Sequence, residues 1–176
     1  TASLTVNPQP APITGIDTVC VGLTTTFSSA TFGGLFISSN TSVATVIPVS
    51  GVILGIDAGT AIITYTLPTG CLQVKTVTVR PNPEVISGPS RMCFGTTITL
   101  TDLPPGGRWT SSDPAVAPVG FVTGIVTGLS VGTATITYTL STSCLATHDV
   151  TVDPVPGIIT GPTELCAGLS ITLSQS

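Results

Sequence analysis

Charge is the scarcest feature of this sequence. Its 176 residues include four Lys or Arg and eight Asp or Glu, so that 7% of the chain is charged, against roughly 25% in typical soluble domains. Four cations and a formal net charge of −4 do not form the basic surface on which nucleic-acid binding depends. A hydrophobic fraction of 41% is the opposite of the apolar-poor composition of disordered chains. The composition therefore excludes a nucleic-acid-binding protein and a disordered chain.

Long apolar runs and helical periodicity are also lacking. No apolar run approaches the 18 residues that a membrane-spanning helix requires, and no signal peptide is recognisable. We therefore expect neither a membrane span nor a leader in this sequence. The abundant residues are instead 33 Thr, 19 Gly and 15 Pro. Thr suits the outward face of β-strands, whereas Gly and Pro mark turns.

The cysteines reveal an internal repeat of 73 residues. This step separates the members of two series, namely Cys20, Cys93 and Cys166, and Cys71 and Cys144. Residues 10–82 align with residues 83–155 without a gap, and 32 of the 73 aligned positions are identical. Self-similarity at a fixed period indicates a tandem array of structural units.

The repeat sets the predicted domain boundaries. Residues 10–82 and 83–155 are two complete repeats, and residues 156–176 open a third. Residues 1–9 resemble the C-terminal strand of a preceding repeat, because Leu4 and Val6 fall where Val77 and Val79 fall one period later. We therefore expect this chain to be part of a longer array.

Each repeat carries the alternating pattern of half-buried β-strands. Along residues 133–140 four apolar side chains alternate with four threonines, the apolar ones being Ala134, Ile136, Tyr138 and Leu140. Turn signals such as Gly33-Gly34 and Gly106-Gly107 recur every eight to twelve residues. About seven short strands per repeat predict an all-β fold, a tandem series of immunoglobulin-like β-sandwiches with Greek-key connections. The Pro81-Asn82-Pro83 segment predicts a stiff joint between the repeats.

The pattern of these residues resembles a known family. The second repeat reads GRWTSSDPAVAPV from Gly107, followed by GIVTGLSVGTATITY, which ends at Tyr138. This frame is similar to bacterial immunoglobulin-like domains of group 2, found in intimin- and invasin-type surface proteins. The paired cysteines resemble those of long, Thr-rich repeat proteins secreted by Bacteroidota-type bacteria. The resemblance implies a module of an extracellular adhesin or fibre without enzymatic activity.

The cysteine spacing predicts a disulfide inside each repeat. Cys20 and Cys71 are 51 residues apart, as are Cys93 and Cys144, whereas the partner expected for Cys166 lies beyond residue 176. These spacings do not fit the paired C-x-x-C clusters of a zinc site. Buried, reduced cysteines are the alternative. Disulfides would place the protein outside the cell or on its surface, because oxidised cysteines persist there.

The search for catalytic, cofactor or metal-binding residues yields none. His148 is the single histidine and stands beside Asp149, but the first repeat has Lys75 and Thr76 at these positions, so no acid–base pair recurs. Asp153 offers one carboxylate at a repeat joint, whereas calcium prefers several hard oxygen ligands. We therefore expect no enzyme, no cofactor and no metal site.

Two residues are candidates for glycosylation. Asp17-Thr18-Val19 resembles the short acceptor motif of Bacteroidota O-glycosylation, and Asn40-Thr41-Ser42 fits the N-glycosylation sequon. The alternative in both cases is an ordinary turn, because three-residue motifs arise often by chance.

The sequence as a whole predicts a structural segment of a long bacterial extracellular repeat protein. Such a segment serves a fibre, a filament or an adhesin stalk. A Thr-rich surface with few repelling charges predicts self-association of copies, since exposed apolar surface marks interaction sites. A carbohydrate- or receptor-binding adhesin module is the first alternative, and a phage virion decoration domain is the second.

Overall fold

The computed structural model describes residues 4–175, which form two compact units. The first unit contains the residues up to Glu84 together with Thr139–Leu145, and the second contains Val85–Tyr138 and the residues from Ala146 onward. The short segment Thr139–Leu145 thus lies in the second sequence repeat but contacts the first unit.

The first unit is a sandwich of two β-sheets built from seven strands. The four-stranded sheet has the order β1-β7-β6-β3, and the three-stranded sheet has the order β2-β5-β4. Strand β1 pairs with β7 in parallel, whereas the other pairs are antiparallel. The strands are β1 Thr18–Cys20, β2 Thr24–Thr26, β3 Leu35–Ser38, β4 Ala44–Val46, β5 Val52–Gly55, β6 Gly59–Thr66 and β7 Leu72–Arg80.

The second unit repeats this plan with one strand fewer among the described residues. Its sheets have the orders β10-β12-β13-β8 and β11-β9. At the position of β4 only a single bridge between Val119 and Val126 remains. Pro118 stands there in place of Thr45 and has no N–H to donate to a neighbouring strand. The strands are β8 Arg91–Cys93, β9 Thr97–Thr99, β10 Arg108–Ser111, β11 Ile125–Thr127, β12 Gly132–Thr139 and β13 Leu145–Asp153.

The predicted alternation places the core between the two sheets of each unit. In β6 the side chains of Ala61, Ile63 and Tyr65 are buried, and their equivalents in β12 are buried as well. The residues between them point outward and are threonines except for Ile62, largely as the Thr-rich composition predicted. The core of the first unit consists of Ile13, Val19, Phe27, Phe36, Ala44, Ile53, Ala61, Ile63, Tyr65, Val77 and Val79.

A tyrosine in each unit ties the core to a loop. Tyr65 stacks at a tilt on Phe36, with 4.6 Å between ring centroids. Its hydroxyl donates to the carbonyl of Thr31 at 2.6 Å and accepts from the amide of Gly34 at 2.9 Å. Tyr138 makes the same contacts with Trp109, Pro104 and Gly107 in the second unit. A Cβ at Gly107 would lie 2.4 Å from the Tyr138 ring, so this close approach requires glycine.

An antiparallel bridge near the start of each repeat recurs three times along the chain. Antiparallel bridges join Thr14 to Ser28, Ser87 to Thr101 and, within the pair β14 (Ile159–Thr160) and β15 (Ser174–Gln175), Thr160 to Ser174. Successive bridges are one 73-residue period apart. The predicted all-β, immunoglobulin-like class is confirmed by this architecture. Residues 4–175 contain no helix long and apolar enough to cross a membrane.

Candidate functional site: the Cys20–Cys144 disulfide

A disulfide joins Cys20 of the first sequence repeat to Cys144 of the second. Cys20 ends strand β1 and pairs in register with Arg80, the last residue of β7. Cys144 ends the turn that connects β12 to β13. Their Cα atoms are 5.7 Å apart, and 124 residues separate them in sequence. Both side chains are buried, with 8% of Cys20 and 1% of Cys144 exposed.

The predicted pairs Cys20–Cys71 and Cys93–Cys144 are wrong. Cys71 and Cys93 are free thiols in the structure. The reason is the length of β7. Cys20 lies at the C-terminal end of β7, beside Arg80, whereas Cys71 immediately precedes its first residue, Leu72. Nine residues at ~3.3 Å each separate the two ends by roughly 30 Å, and a disulfide requires Cα atoms closer than about 7 Å.

The same geometry excludes the second predicted pair. Cys93 pairs in register with Asp153 at the end of β13, and Cys144 precedes the first residue of that nine-residue strand. The sequence carried a signal for this outcome. Val77 and Val79 continue the alternation of one long strand right up to the joint, and a long strand separates the cysteines at its two ends.

The turn that holds Cys144 contains a strained residue. Ser143 has a φ of 68°, a left-handed conformation that costs an L-residue other than glycine about 1–2 kcal/mol. The first repeat has Gly70 at this position, with a φ of 85°. The amide of Ser143 donates to the carbonyl of Leu140 at 2.9 Å, as Gly70 does to Leu67. The backbone of the turn is thus alike in both repeats.

We expect Ser143→Gly to stabilise the protein by roughly 0.5–1 kcal/mol, because glycine relieves the strain but adds freedom to the unfolded chain. The midpoint of urea unfolding measures the effect. Gly70→Ser is the matched variant and should lose a comparable amount of stability. A Cβ at Gly70 meets no atom within 4 Å, so this loss would come from the backbone conformation and not from a steric clash. Equal stability of Gly70→Ser and the parent chain would contradict the strain argument.

His148 and Lys75 occupy equivalent positions, and each contacts a backbone carbonyl in the first loop of its unit. Lys75 donates from Nζ to the carbonyl of Gly15 at 2.6 Å and lies over the ring of Phe27 at 5.0 Å. His148 places Nε2 3.4 Å from the carbonyl of Pro89. Each side chain therefore reaches from its strand to the backbone of the first loop of its unit. These contacts are structural.

Asp153 is engaged by an arginine. Its carboxylate accepts from Nε of Arg91 at 3.0 Å and from Nη2 at 2.5 Å. The hydrogen bond and the charge of Asp153 raise the pKa of Arg91 above its ordinary value. The pair is exposed, so we assign it little weight in stability. Among residues 4–175 no group of three or more His, Cys, Asp or Glu side chains is placed to hold a metal ion.

Both candidate glycosylation residues are exposed. Thr18 begins β1 with its side chain outward. Asn40 lies in the loop after β3, and its Oδ1 accepts from the amide of Ser42 at 3.1 Å and from the Ser42 hydroxyl at 2.9 Å. This Asx turn is the ordinary alternative for the motif. Modification of Thr18 and Asn40 stays a prediction.

The described architecture defines an immunoglobulin-like β-sandwich protein whose repeats are linked by a disulfide. Residues 73–150 match the sequence profile of the family described as bacterial Ig-like domain (group 2). The predicted resemblance to this family is thereby confirmed. A comparison with curated protein sequences finds no match.

One solved structure with a similar fold is a fragment of intimin. The C-terminal 282-residue fragment of intimin, solved in complex with the intimin-binding domain of the translocated intimin receptor, has a TM-score of 0.56 and 16% identity. The match covers 85% of this chain and 67% of that one. At this identity the likeness concerns the fold alone.

Two further structures match at lower TM-scores. Domains 4–9 of the surface layer protein SbsC give 0.35 with 18% identity, covering 96% of this chain and 36% of that chain. Drosophila N-cadherin EC1–4 gives 0.37 with 10% identity, covering 88% and 50%. This chain therefore spans between about one third and one half of the length of these two proteins.

Proposed function

We propose that this chain is a structural segment of a bacterial extracellular repeat protein, serving as part of a fibre or an adhesin stalk. The observation that carries the proposal is the Cys20–Cys144 bond between successive sequence repeats. A segment that resists extension requires repeats that stay connected under load. It requires no catalytic group.

The position of the disulfide in the sequence suits such a role. The loop that it closes runs from residue 20 to residue 144 and contains the joint Pro81-Asn82-Pro83. A pulling force applied to the ends of the chain therefore bypasses the joint through the covalent bond. The disulfide also supports a location outside the cell, where oxidised cysteines persist.

Single-molecule pulling tests the load-bearing role. We expect the oxidised chain, held at its two ends, to extend fully to a contour about 400 Å shorter than the reduced chain. The bonded cysteines are separated by 124 positions in the sequence, and this stretch is withheld from extension at roughly 3.3–3.6 Å per residue. The Cys71→Ala variant is the control and should give the same extension as the parent. Equal contours for the oxidised and reduced parent chain would overturn the proposal.

Self-association of copies is the second part of the proposal, and one face of the first unit supports it. Five apolar side chains lie exposed on the outer side of the sheet β1-β7-β6-β3, here called the outer apolar face. Strand β3 contributes two of them, β6 one and β7 two, and the strand registers place them in adjacent rows. They are Leu35, Ile37, Ile62, Leu72 and Val74, each 47–61% exposed.

The outer apolar face distinguishes the two repeats. At the five equivalent positions the second repeat carries Arg108, Thr110, Thr135, Leu145 and Thr147. Four of these five residues are polar, so the corresponding surface of the second repeat is that of an ordinary solvated strand. In the register Thr64 and Thr66 lie between the apolar residues of β3 and those of β7. A cluster of exposed apolar side chains of this kind marks a contact surface. A second copy of this chain suits it, because the face carries no charge that would repel an identical face.

Sedimentation velocity and negative-stain electron microscopy test the self-association. We expect the parent chain to form dimers or filaments at high concentration and Ile37→Lys/Val74→Lys to remain monomeric. Thr110→Lys/Thr147→Lys introduces the same charges at the equivalent positions of the second repeat and should leave association unchanged. Monomers of the parent chain at high concentration would refute self-association and leave the load-bearing proposal standing. Specific binding of a glycan to the parent chain would favour the adhesin alternative.

A further inference from the structure

The five cysteines fall into two series that differ in backbone position. Cys20, Cys93 and Cys166, here called the leading cysteines, share one position of the repeat, and Cys71 and Cys144, the trailing cysteines, share another. The observed bond joins a leading cysteine to the trailing cysteine of the following repeat. The trailing cysteine Cys71 and the leading cysteines Cys93 and Cys166 are free thiols.

Cys93 has the same backbone setting as the bonded Cys20. Cys20 ends β1 opposite Arg80, and Cys93 ends β8 opposite Asp153, both in parallel pairing with the last strand of the unit. The residue after each cysteine donates its amide to that opposite carbonyl, at 3.0 Å from Val21 and 2.9 Å from Phe94. The two sites differ in exposure, since Cys20 is buried and Cys93 is exposed.

The third leading cysteine has the same local turn. The carbonyls of Cys20, Cys93 and Cys166 each accept from the amide three residues later, at 3.0, 3.1 and 3.1 Å. This turn directly follows each leading cysteine, and Cys20 and Cys93 are also the last residues of strands β1 and β8. The turn is therefore alike in all three places where the sequence has a leading cysteine.

Cys71 occupies the position in the first repeat that Cys144 occupies in the second, but it is a free thiol. Its Sγ lies 3.6 Å from the carbonyl of Asn7. Asn7 is the residue one period before Arg80, and Arg80 is the register partner of the bonded Cys20. Cys71 thus already lies against the residue beside which a leading cysteine of a preceding repeat would stand. It is half-buried, whereas the bonded Cys144 is buried.

We propose that every leading cysteine of the array bonds to the trailing cysteine of the next repeat, 124 residues later, so that the disulfides form a ladder along the protein. Cys93 then takes the trailing cysteine of a following repeat, and Cys71 takes the leading cysteine of a preceding repeat. This inference rests on the proposed function, because it requires the chain to belong to a longer array.

The ladder links every joint between repeats. A bond from Cys93 to the next trailing cysteine closes a loop that overlaps the loop of residues 20–144 and contains the joint Pro154-Val155-Pro156. Disulfides within each repeat would leave all joints outside the closed loops. Bonds from each leading cysteine to the trailing cysteine of the next repeat therefore allow covalent bonds to carry tension past each joint.

Bond formation requires an external oxidant of the disulfide class, such as glutathione disulfide or a thiol–disulfide oxidoreductase. The leading thiolate attacks a sulfur of the oxidant, forming a mixed disulfide and releasing one thiolate of the oxidant. The trailing thiolate then attacks the protein sulfur of the mixed disulfide and releases the second thiolate. Each rung thus oxidises two cysteine thiols, reduces one disulfide of the oxidant and releases the two thiol protons to the oxidant thiolates or solvent.

An extended chain tests the ladder. A second copy of residues 83–155, inserted directly after Val155, adds one leading and one trailing cysteine. After refolding with glutathione disulfide, peptide mapping without reduction should find Cys20–Cys144 and a bond from Cys93 to the inserted trailing cysteine. The number of free thiols then stays at the three of the parent chain. Cys93→Ser in the extended chain is the matched variant and should free the inserted trailing cysteine alone.

The other outcomes separate this inference from the proposed function. A bond between the two inserted cysteines, or two additional free thiols, overturns the ladder while Cys20–Cys144 still supports the load-bearing role. A map with Cys20 bonded to Cys71 overturns both, because the bond on which the proposed function rests would then be absent.

Discussion

The double variant Cys20→Ala/Cys144→Ala should lose about 5 kcal/mol of stability relative to the oxidised parent chain. The bond closes a loop spanning 124 residues, and the chain-entropy model assigns roughly 4.7 kcal/mol to a loop of ~100 residues. The buried sulfur atoms add packing that alanine does not replace. Urea unfolding without reductant, followed by circular dichroism, measures the loss.

The matched control for this experiment is Cys71→Ala/Cys93→Ala. Both residues are free thiols that close no loop in this chain, so we expect their removal to change stability little. Bonds within the repeats would instead give similar losses in the two double variants, since each variant would then remove one cysteine from both bonds. A large loss in Cys71→Ala/Cys93→Ala would therefore contradict the pairing.

Trp109→Ala should destabilise the second unit by about 3–5 kcal/mol. The Trp109 side chain is 4% exposed and packs on Tyr138 with ring centroids 4.6 Å apart. Truncation of a buried tryptophan removes its apolar contacts and leaves a cavity that the two sheets do not close. Hydrogen exchange of the β12 amides measures the effect locally. Each amide exchanges through the opening of lowest free energy, whether that opening is local or global.

Trp109→Phe is the matched control, and the first repeat supplies the reason. Phe36 occupies the equivalent position and stacks on Tyr65 at the same 4.6 Å centroid distance. We therefore expect Trp109→Phe to keep more than half of the stability that Trp109→Ala loses. Equal losses in the two variants would show that the ring at this position does not support the core.

Residue patterns alone predicted the all-β, immunoglobulin-like class and the position of strand β12. Alternation of apolar residues with threonine along residues 133–140 marked β12, and the burial of Ala134, Ile136 and Tyr138 follows it. This works because the side chains of a strand alternate between two faces, so one buried face is written directly into the sequence. The bridges and turns are repeated because the residues that form them recur at the 73-residue period.

The candidate site could be predicted only in part. The sequence showed which residues form the two cysteine series and led to the expectation of an oxidising environment. It also showed that Lys75 stands in the first repeat where His148 stands in the second, which argues against a catalytic His–Asp pair. The outer apolar face was anticipated only as a low-charge surface. The strand registers set Leu35 and Ile37 in the same rows as Leu72 and Val74. The face is confined to the first unit because the second repeat has polar residues at most of the equivalent positions.

Composition and the 73-residue period thus determined the fold class and the positions of the cysteines. The tertiary structure decided their pairing. Separation along the sequence favoured Cys71 as the partner of Cys20, because Cys71 is 51 residues from Cys20 whereas Cys144 is 124 residues from it. The parallel pairing of β1 with β7 reverses that preference, because it fixes Cys20 at one end of a nine-residue strand and Cys71 at the other. Chain separation sets the entropy of closing a loop, but only the distance between folded strands decides whether two sulfur atoms meet.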